Sequence, residues 1–356
     1  MSLPAGLTDQ GREPDWRVVL STNVCIFFFA ALFVPGLYAA PNAMAPTAPG
    51  PTAPSPASSV SLEVTTRAGI QYGMARELVY YGQYTISELD WPFQPVLYAG
   101  TALAIQTRLG LSASLEVRSA FPWRSGFMQD LDFLNYAFGD LRRTHFSQHD
   151  CYTERAITLD ARVGWVFHLR DRFTLQPFAA FGLMQYKWTA RDGYLQYPSG
   201  GPPYTPWSPA QTKVPISGTG IIYEQVYLIP AVGLSATARL GERFDAGLSF
   251  VFSPFVFCND LDNHVQRAPP WDTDFYEYMR WGLLLEPALT LEFRVSRQAR
   301  LSFDVSYRRI TGLIGDSYTV NAGPGLPPGQ IAATYPDSGG AAFDALDASL
   351  ALSLSL

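Results

Sequence analysis

From Val60 to Leu356, apolar and polar residues alternate with a period of two, run after run. Val60, Leu62, Val64 and Ala68 stand against Ser61, Glu63, Thr65 and Arg67, and Leu111, Ala113, Leu115 and Val117 against Ser112, Ser114, Glu116 and Arg118. Ile157, Leu159, Ala161 and Val163 oppose Thr158, Asp160 and Arg162, and Leu301, Phe303 and Val305 oppose Ser302, Asp304 and Ser306. Successive side chains of a strand point to opposite faces, so each run predicts a strand with one apolar and one polar side. Ten strands are predicted, at roughly 60–81, 84–108, 111–124, 153–168, 173–195, 217–240, 244–258, 275–296, 300–315 and 341–356.

A soluble sandwich also alternates, but its strands are short. Here one face stays apolar from Met279 through Trp281, Leu283, Leu285, Leu289, Leu291 and Phe293 to Val295, while Glu286, Glu292 and Arg294 take the other. That pattern suits lipid outside and a polar lumen inside. Short turns (Gly110, Leu169 to Arg172, Gly241-Glu242, Ser296 to Arg300) alternate with long polar linkers (Pro198 to Gly220, Asn259 to Asp274, Asp316 to Gly340). The fold class is therefore all-β: a ten-stranded antiparallel transmembrane β-barrel with long extracellular loops and both ends in the periplasm. Strands of up to about twenty residues exceed the roughly ten needed to cross a bilayer, so the barrel should stand out above the membrane.

Ahead of the barrel, Arg12 and Arg17 precede an apolar run from Val18 to Ala40. This predicts a secretory signal over 1–40, cut somewhere in 39–45; Pro35-Gly36 breaks the run and argues against a membrane anchor. Residues 41–59, rich in Pro, Ala, Thr and Ser, predict a disordered linker, and 60–356 the barrel. With 25 basic and 31 acidic residues the chain carries −6, which argues against nucleic acid as a partner and favours a cationic substrate. Cys151 and Cys258 lie near outer loops, where a disulfide and two buried thiols are both open readings.

Asp260-Leu261-Asp262-Asn263-His264 packs two carboxylates and a histidine into five residues. In an extended segment Asp260, Asp262 and His264 share a face, and Asp262 could orient and stabilise His264 as a general base. The same residue types also make ordinary turns. A second pair, Asp130-Leu131-Asp132, again shares a face and could hold a water opposite the first. Neither pair begins an Asp-Thr-Gly or Asp-Ser-Gly, and no His-Glu-x-x-His occurs. Phe250, Phe252 and Val256, read as the outer face of strand seven, share parity with Asp262 and His264, so a bulge between 250 and 257 must reverse the faces. Glu77 shares parity with Glu63 and Arg67, hence faces the lumen at the top of strand one.

These motifs, with Glu77-Leu78-Val79-Tyr80, Glu88-Leu89-Asp90-Trp91, His149 and Trp188-Thr189-Ala190-Arg191-Asp192-Gly193, resemble the omptin family of outer-membrane proteases over nearly all of 60–356. The resemblance implies an aspartyl endopeptidase of the bacterial outer membrane, its site facing outward, with no cofactor, metal or covalent intermediate. Asp262 and His264 would activate water, Asp130 and Asp132 would hold it, and Glu77 and Asp260 would bind a basic residue of a peptide or protein substrate. Where the family binds lipopolysaccharide through a tyrosine, a glutamate and an arginine, this chain has Phe181, Leu183 and Gln185, so a lipopolysaccharide requirement is not expected. Two other classes fit the residues: a passive barrel (porin or adhesin), and a surface protein chelating Ca2+ through four Asp.

Overall fold

In a computed structural model of the chain, residues 60–170, 172–266, 273–321 and 331–356 are described. The signal and linker expected before residue 60 lie outside them. Twelve strand segments make ten barrel strands: β1 (Val60–Tyr81), β2 (Tyr84–Thr107), β3 (Leu111–Ala120, resumed as Trp123–Asp132), β4 (His145–Trp165, continued by Phe167–Leu169), β5 (Phe173–Gln196), β6 (Val214–Arg239), β7 (Phe244–His264), β8 (Thr273–Arg294), β9 (Ala299–Asn321) and β10 (Ile331–Ser355). The gap in β3 falls at Pro122, which has no N–H to give to a ladder. Every neighbouring pair is antiparallel, and β10 returns to β1 in register from Glu63↔Ser355 to Val79↔Gly339, closing the ring.

Several strands run well past their expected ends. β3 continues to Asp132, β4 begins at His145, β7 reaches His264, and β10 begins at Ile331, so much of what the composition marked as loop is strand. The reason lies in what surrounds each height. Lower down, Leu97, Leu103, Val117, Val163, Leu248 and Leu350 stand exposed on the outer wall, as contact with lipid requires. Higher up, the outer wall carries ion pairs instead: Arg76 Nε to Asp90 at 3.1 Å, Arg155 to Glu224 at 2.8 Å and Arg191 to Glu154 at 2.7 Å. Above that belt both faces of a strand touch polar surroundings, so the backbone ladder continues without the hydrophobic alternation that reveals a strand in sequence.

The expected face reversal in β7 occurs at Pro254-Phe255, where two successive residues are exposed; below it Val251 and Ser253 point inward, above it Val256, Cys258, Asp260 and Asp262. Val256 thus faces the lumen, not lipid as its parity suggested. Phe255 N–H donates to Ser253 Oγ (3.1 Å), whose hydroxyl donates to Pro230 O (2.6 Å), so a side chain replaces ladder bonds that two prolines interrupt. β8 reverses beside it, at Arg280-Trp281, with Trp281 at φ +64°. The apolar face expected from Met279 to Val295 is therefore broken, and Met279 is buried inside.

The lumen is filled in two storeys. The lower holds paired charges, among them Arg67–Glu116 (2.9 Å), Arg118–Asp160 (3.1 Å) and Arg308–Glu286 (2.7 Å). The upper is an aromatic floor in which Trp91 stacks on Tyr223 with centroids 5.1 Å apart, Phe93 on Phe343 at 5.2 Å and Tyr186 on Trp188 at 5.4 Å. Cys151 and Cys258 are buried and free, which settles the open disulfide question against a bridge. Refolded protein should give a β-rich circular dichroism spectrum and a gel mobility that changes on boiling; a mainly helical spectrum would be incompatible with this ring.

Candidate active site

Above the aromatic floor the strands open into a cavity of about 1090 Å³, and acidic and histidine side chains line it from both sides. On one wall, β3 carries Asp130 and Asp132, paired with Ser147 and His145 of β4 on one side and with Leu89 and Ser87 of β2 on the other. On the opposite wall, β7 carries Asp260, Asp262 and His264, paired with Glu277, Phe275 and Thr273 of β8. Strand alternation puts each set on its inner face, and the reversal at Pro254-Phe255 is what turns the β7 set inward.

Asp262 Oδ2 lies 2.5 Å from His264 Nε2, and the imidazole edge packs T-shaped on Phe275 at 5.6 Å. The pair is largely withdrawn from solvent but opens to the cavity, which it lines with Asp130 and Asp132. Ser87 Oγ donates to Asp130 Oδ1 at 3.4 Å. Glu77, inward on β1 as its parity predicted, lines the same cavity. Asp260 sits deeper, where the Tyr223 hydroxyl donates to its Oδ2 at 2.7 Å, and Gln225 Nε2 in turn donates to that hydroxyl.

Four further groups stand here to which sequence reasoning gave no role, although His149 was among the anchors of the family resemblance. His145, Ser147 and His149 follow one another at period two along the inner face of β4, a signal masked because 125–152 read as loop. Ser147 hydroxyl donates to His149 Nε2 (2.8 Å) if Nδ1–H donates to Asp192 O (2.8 Å), a pairing that fixes the tautomer. Asp192 itself is left-handed at φ +53° and accepts Gly218 N–H through Oδ1 at 2.8 Å. Burial lowers the pKa of His149, with a contribution from His264; burial lowers that of His145 too, against the pull of Asp132. The fourth group is Glu277, buried beside Asp260.

Glu77, Asp260 and Glu277 lie level with or above the ion-pair belt: Glu77 follows Arg76 on β1, and Asp260 pairs with Gln225, next to Glu224. Burial raises the pKa of all three well above the ordinary carboxylate range, and neighbouring carboxylates raise them further, against the Tyr223 hydrogen bond at Asp260.

A closed antiparallel barrel with a histidine–carboxylate cleft at one end is thus the class of protein. The family model for the Omptin family matches residues 58–354, and the chain belongs to that family. Among solved structures, the outer membrane protease OmpT from Escherichia coli matches with a TM-score of 0.75 at 19% identity, over 83% of this chain and 97% of that one. The translocator domain of the autotransporter NalP from Neisseria meningitidis matches with a TM-score of 0.33 at 9% identity, over 83% and 88% of the two chains. The Pseudomonas putida toluene transporter TodX gives 0.28 at 10%, over 82% and 89%. No curated protein matches the sequence.

The raised carboxylates carry a stability consequence. The folded barrel holds protons on them at pH values where the unfolded chain has lost its own, so their contribution falls as pH rises from the ordinary carboxylate range through their folded pKa values. The lowered His145 and His149 act in the opposite sense near pH 6.5. A mutant comparison separates the two: Glu77→Gln should resist heat better than the parent at pH 8 and show little gain at pH 5, read from the temperature at which gel mobility shifts. A Glu77→Gln barrel that melts earlier at pH 8 would contradict this account.

Proposed function

We propose that the protein is a bacterial outer-membrane endopeptidase, its site facing outward, that hydrolyses peptide bonds next to Arg or Lys. The observation that carries this reading is the 2.5 Å contact between Asp262 and His264 in a cavity they share with Asp130 and Asp132. Neutral His264 takes a proton from water through the ring nitrogen not bound to Asp262, and Asp262 offsets the charge that results. Asp130 and Asp132, from the facing wall, hold the water by hydrogen bonds, and attack falls on a carbonyl held between them. No side chain of the set needs to become covalently attached to substrate. Membership of the Omptin family, and the fold shared with an outer membrane protease, support the class of activity and its location.

The passive-barrel alternative is disfavoured by the aromatic floor, which fills the lumen with Trp91, Trp188, Phe93 and Phe343. For the Ca2+ alternative, the four Asp divide between β3 and β7, and no three His, Cys, Asp or Glu side chains among the described residues lie close enough to hold one metal ion.

In detergent, refolded protein should cleave an Arg-containing peptide equally with and without chelator. His264→Ala or Asp262→Ala should lose at least the roughly 10²-fold usual for removing a general base, and Asp130→Ala or Asp132→Ala should also be impaired. Folded variants working at the parent's rate would remove those residues from the mechanism.

Specificity rests on Glu77 and Asp260, which together can take a guanidinium fork that a neutral side chain cannot imitate. Neutralising either should mainly lower kcat/KM for Arg peptides. Reversal to Lys should open some activity toward acidic peptides, and equal kinetics on Arg and Ala peptides in the parent would show that neither carboxylate reads substrate.

A further inference from the structure

Two carboxylates suffice for the pocket just described, yet the structure holds three. Glu277 of β8 stands opposite Asp260 in the ladder and lines the same cavity as Glu77. It is 1% exposed, against 2% for Glu77 and 6% for Asp260. Oε2 of Glu277, Oε2 of Glu77 and Oδ1 of Asp260 each lack a hydrogen-bond partner among the described residues. Close packing admits the Glu277 carboxylate only because β10 has a glycine there: a Cβ on Gly339 would lie 2.7 Å from Glu277 Cδ. Tyr223 serves the other oxygen of Asp260, and Ser317 bonds to Glu277, yet each of the three carboxylates keeps one deeply buried oxygen unserved. Such oxygens are costly to bury, and a cation that comes and goes would satisfy them.

We propose that Glu277 is a specificity-determining residue, a third carboxylate that takes an arginine guanidinium jointly with Glu77 and Asp260. This rests on the endopeptidase reading above and adds to it a preference for Arg over Lys. A guanidinium offers five N–H donors in a plane and is always charged, whereas an ammonium offers three from a point, so three carboxylates around one pocket match the former better. The groups facing Glu277 are Glu77 and Tyr80 of β1, Cys258, Asp260 and Asp262 of β7, and Ser317 of β9, with the backbone of Gly339 from β10. All the charged ones are acidic. Burial, and then Asp260 and Asp262, raise the pKa of Glu277, and a bound cation would pull it back down.

The test measures binding apart from cleavage. Two peptides identical except for Arg or Ala are titrated, by fluorescence, into the full chain in detergent carrying His264→Ala, with and without Glu277→Gln. Arg-peptide affinity should fall about tenfold or more on losing Glu277, the scale of one charge-assisted hydrogen bond, while Ala-peptide affinity stays unchanged. In the Glu277-containing barrel, Arg-peptide affinity should rise from pH 6 to pH 8, and that slope should be shallower in Glu277→Gln. Gly339→Ala, which keeps the charge but displaces it, should also weaken Arg binding and leave Ala binding alone. A parent that cleaves Arg peptides while Glu277→Gln and Gly339→Ala bind them at full strength would overturn the role of Glu277 and leave the endopeptidase reading standing. No Arg-peptide cleavage or binding in any form would overturn both.

Discussion

A strand that crosses lipid has nowhere to put an unpaired N–H or C=O, and the rest of this structure follows from that constraint. Closure of β10 on β1 satisfies the ladder all the way round and leaves no edge. Closure also commits each residue to lipid or lumen by its parity, so polar side chains gather on the axis. The lumen is then the only place within the wall where arginines such as Arg118 and Arg308 can sit, and there they meet Asp160 and Glu286. Above the ion-pair belt the lipid constraint lapses but hydrogen bonding does not, so the same strands continue upward as the walls of the cleft.

Fixed parity would give a site on β7 the wrong face, and the structure escapes by spending one residue. Pro254 and Phe255 both face outward, and Ser253 supplies hydrogen bonds where Pro230 and Pro254 interrupt the ladder. β8 makes a matching reversal at Trp281, whose ring meets Phe255 edge-on at 5.8 Å on the outer wall. The need for such a bulge was legible in the sequence, because the parity of Phe250 and Phe252 conflicts with that of Asp262. Its position was not legible, since both parities are apolar from 250 to 257 and alternation carries no information there.

The same physics decides which parts of the site could be read. Ten strands and their order follow from alternation, which lipid enforces on the lower barrel. The upper strand ends were missed because Asp130, Asp132, Asp262 and His264 stand on ladders with polar neighbours on both faces, where no hydrophobic period survives. The two Asp motifs were visible as dense local chemistry. Ser147 was hidden in a presumed loop, His149 was visible only as an anchor of the family resemblance, and Glu277 gave no local signal at all: it is a lone acid among aromatics, and only the pairing of β8 with β7 brings it to Asp260.

The two storeys of the lumen differ in charge balance, and that difference separates structure from proposed function. Below the aromatic floor, basic groups meet acidic ones: Arg67 has Glu116, Arg118 has Asp160 and Arg308 has Glu286 as a fixed partner of opposite charge. Above it, Glu77, Asp260 and Glu277 are surrounded by burial and by one another, a state that lowers stability and that no fixed arginine or lysine among the described residues relieves. A protein optimised for stability alone would place a basic side chain there, as it does lower down with Arg308. Leaving the place empty makes sense if the missing cation belongs to the substrate, and the floor of Trp91, Trp188 and Tyr223 then keeps the lower arginines from filling it.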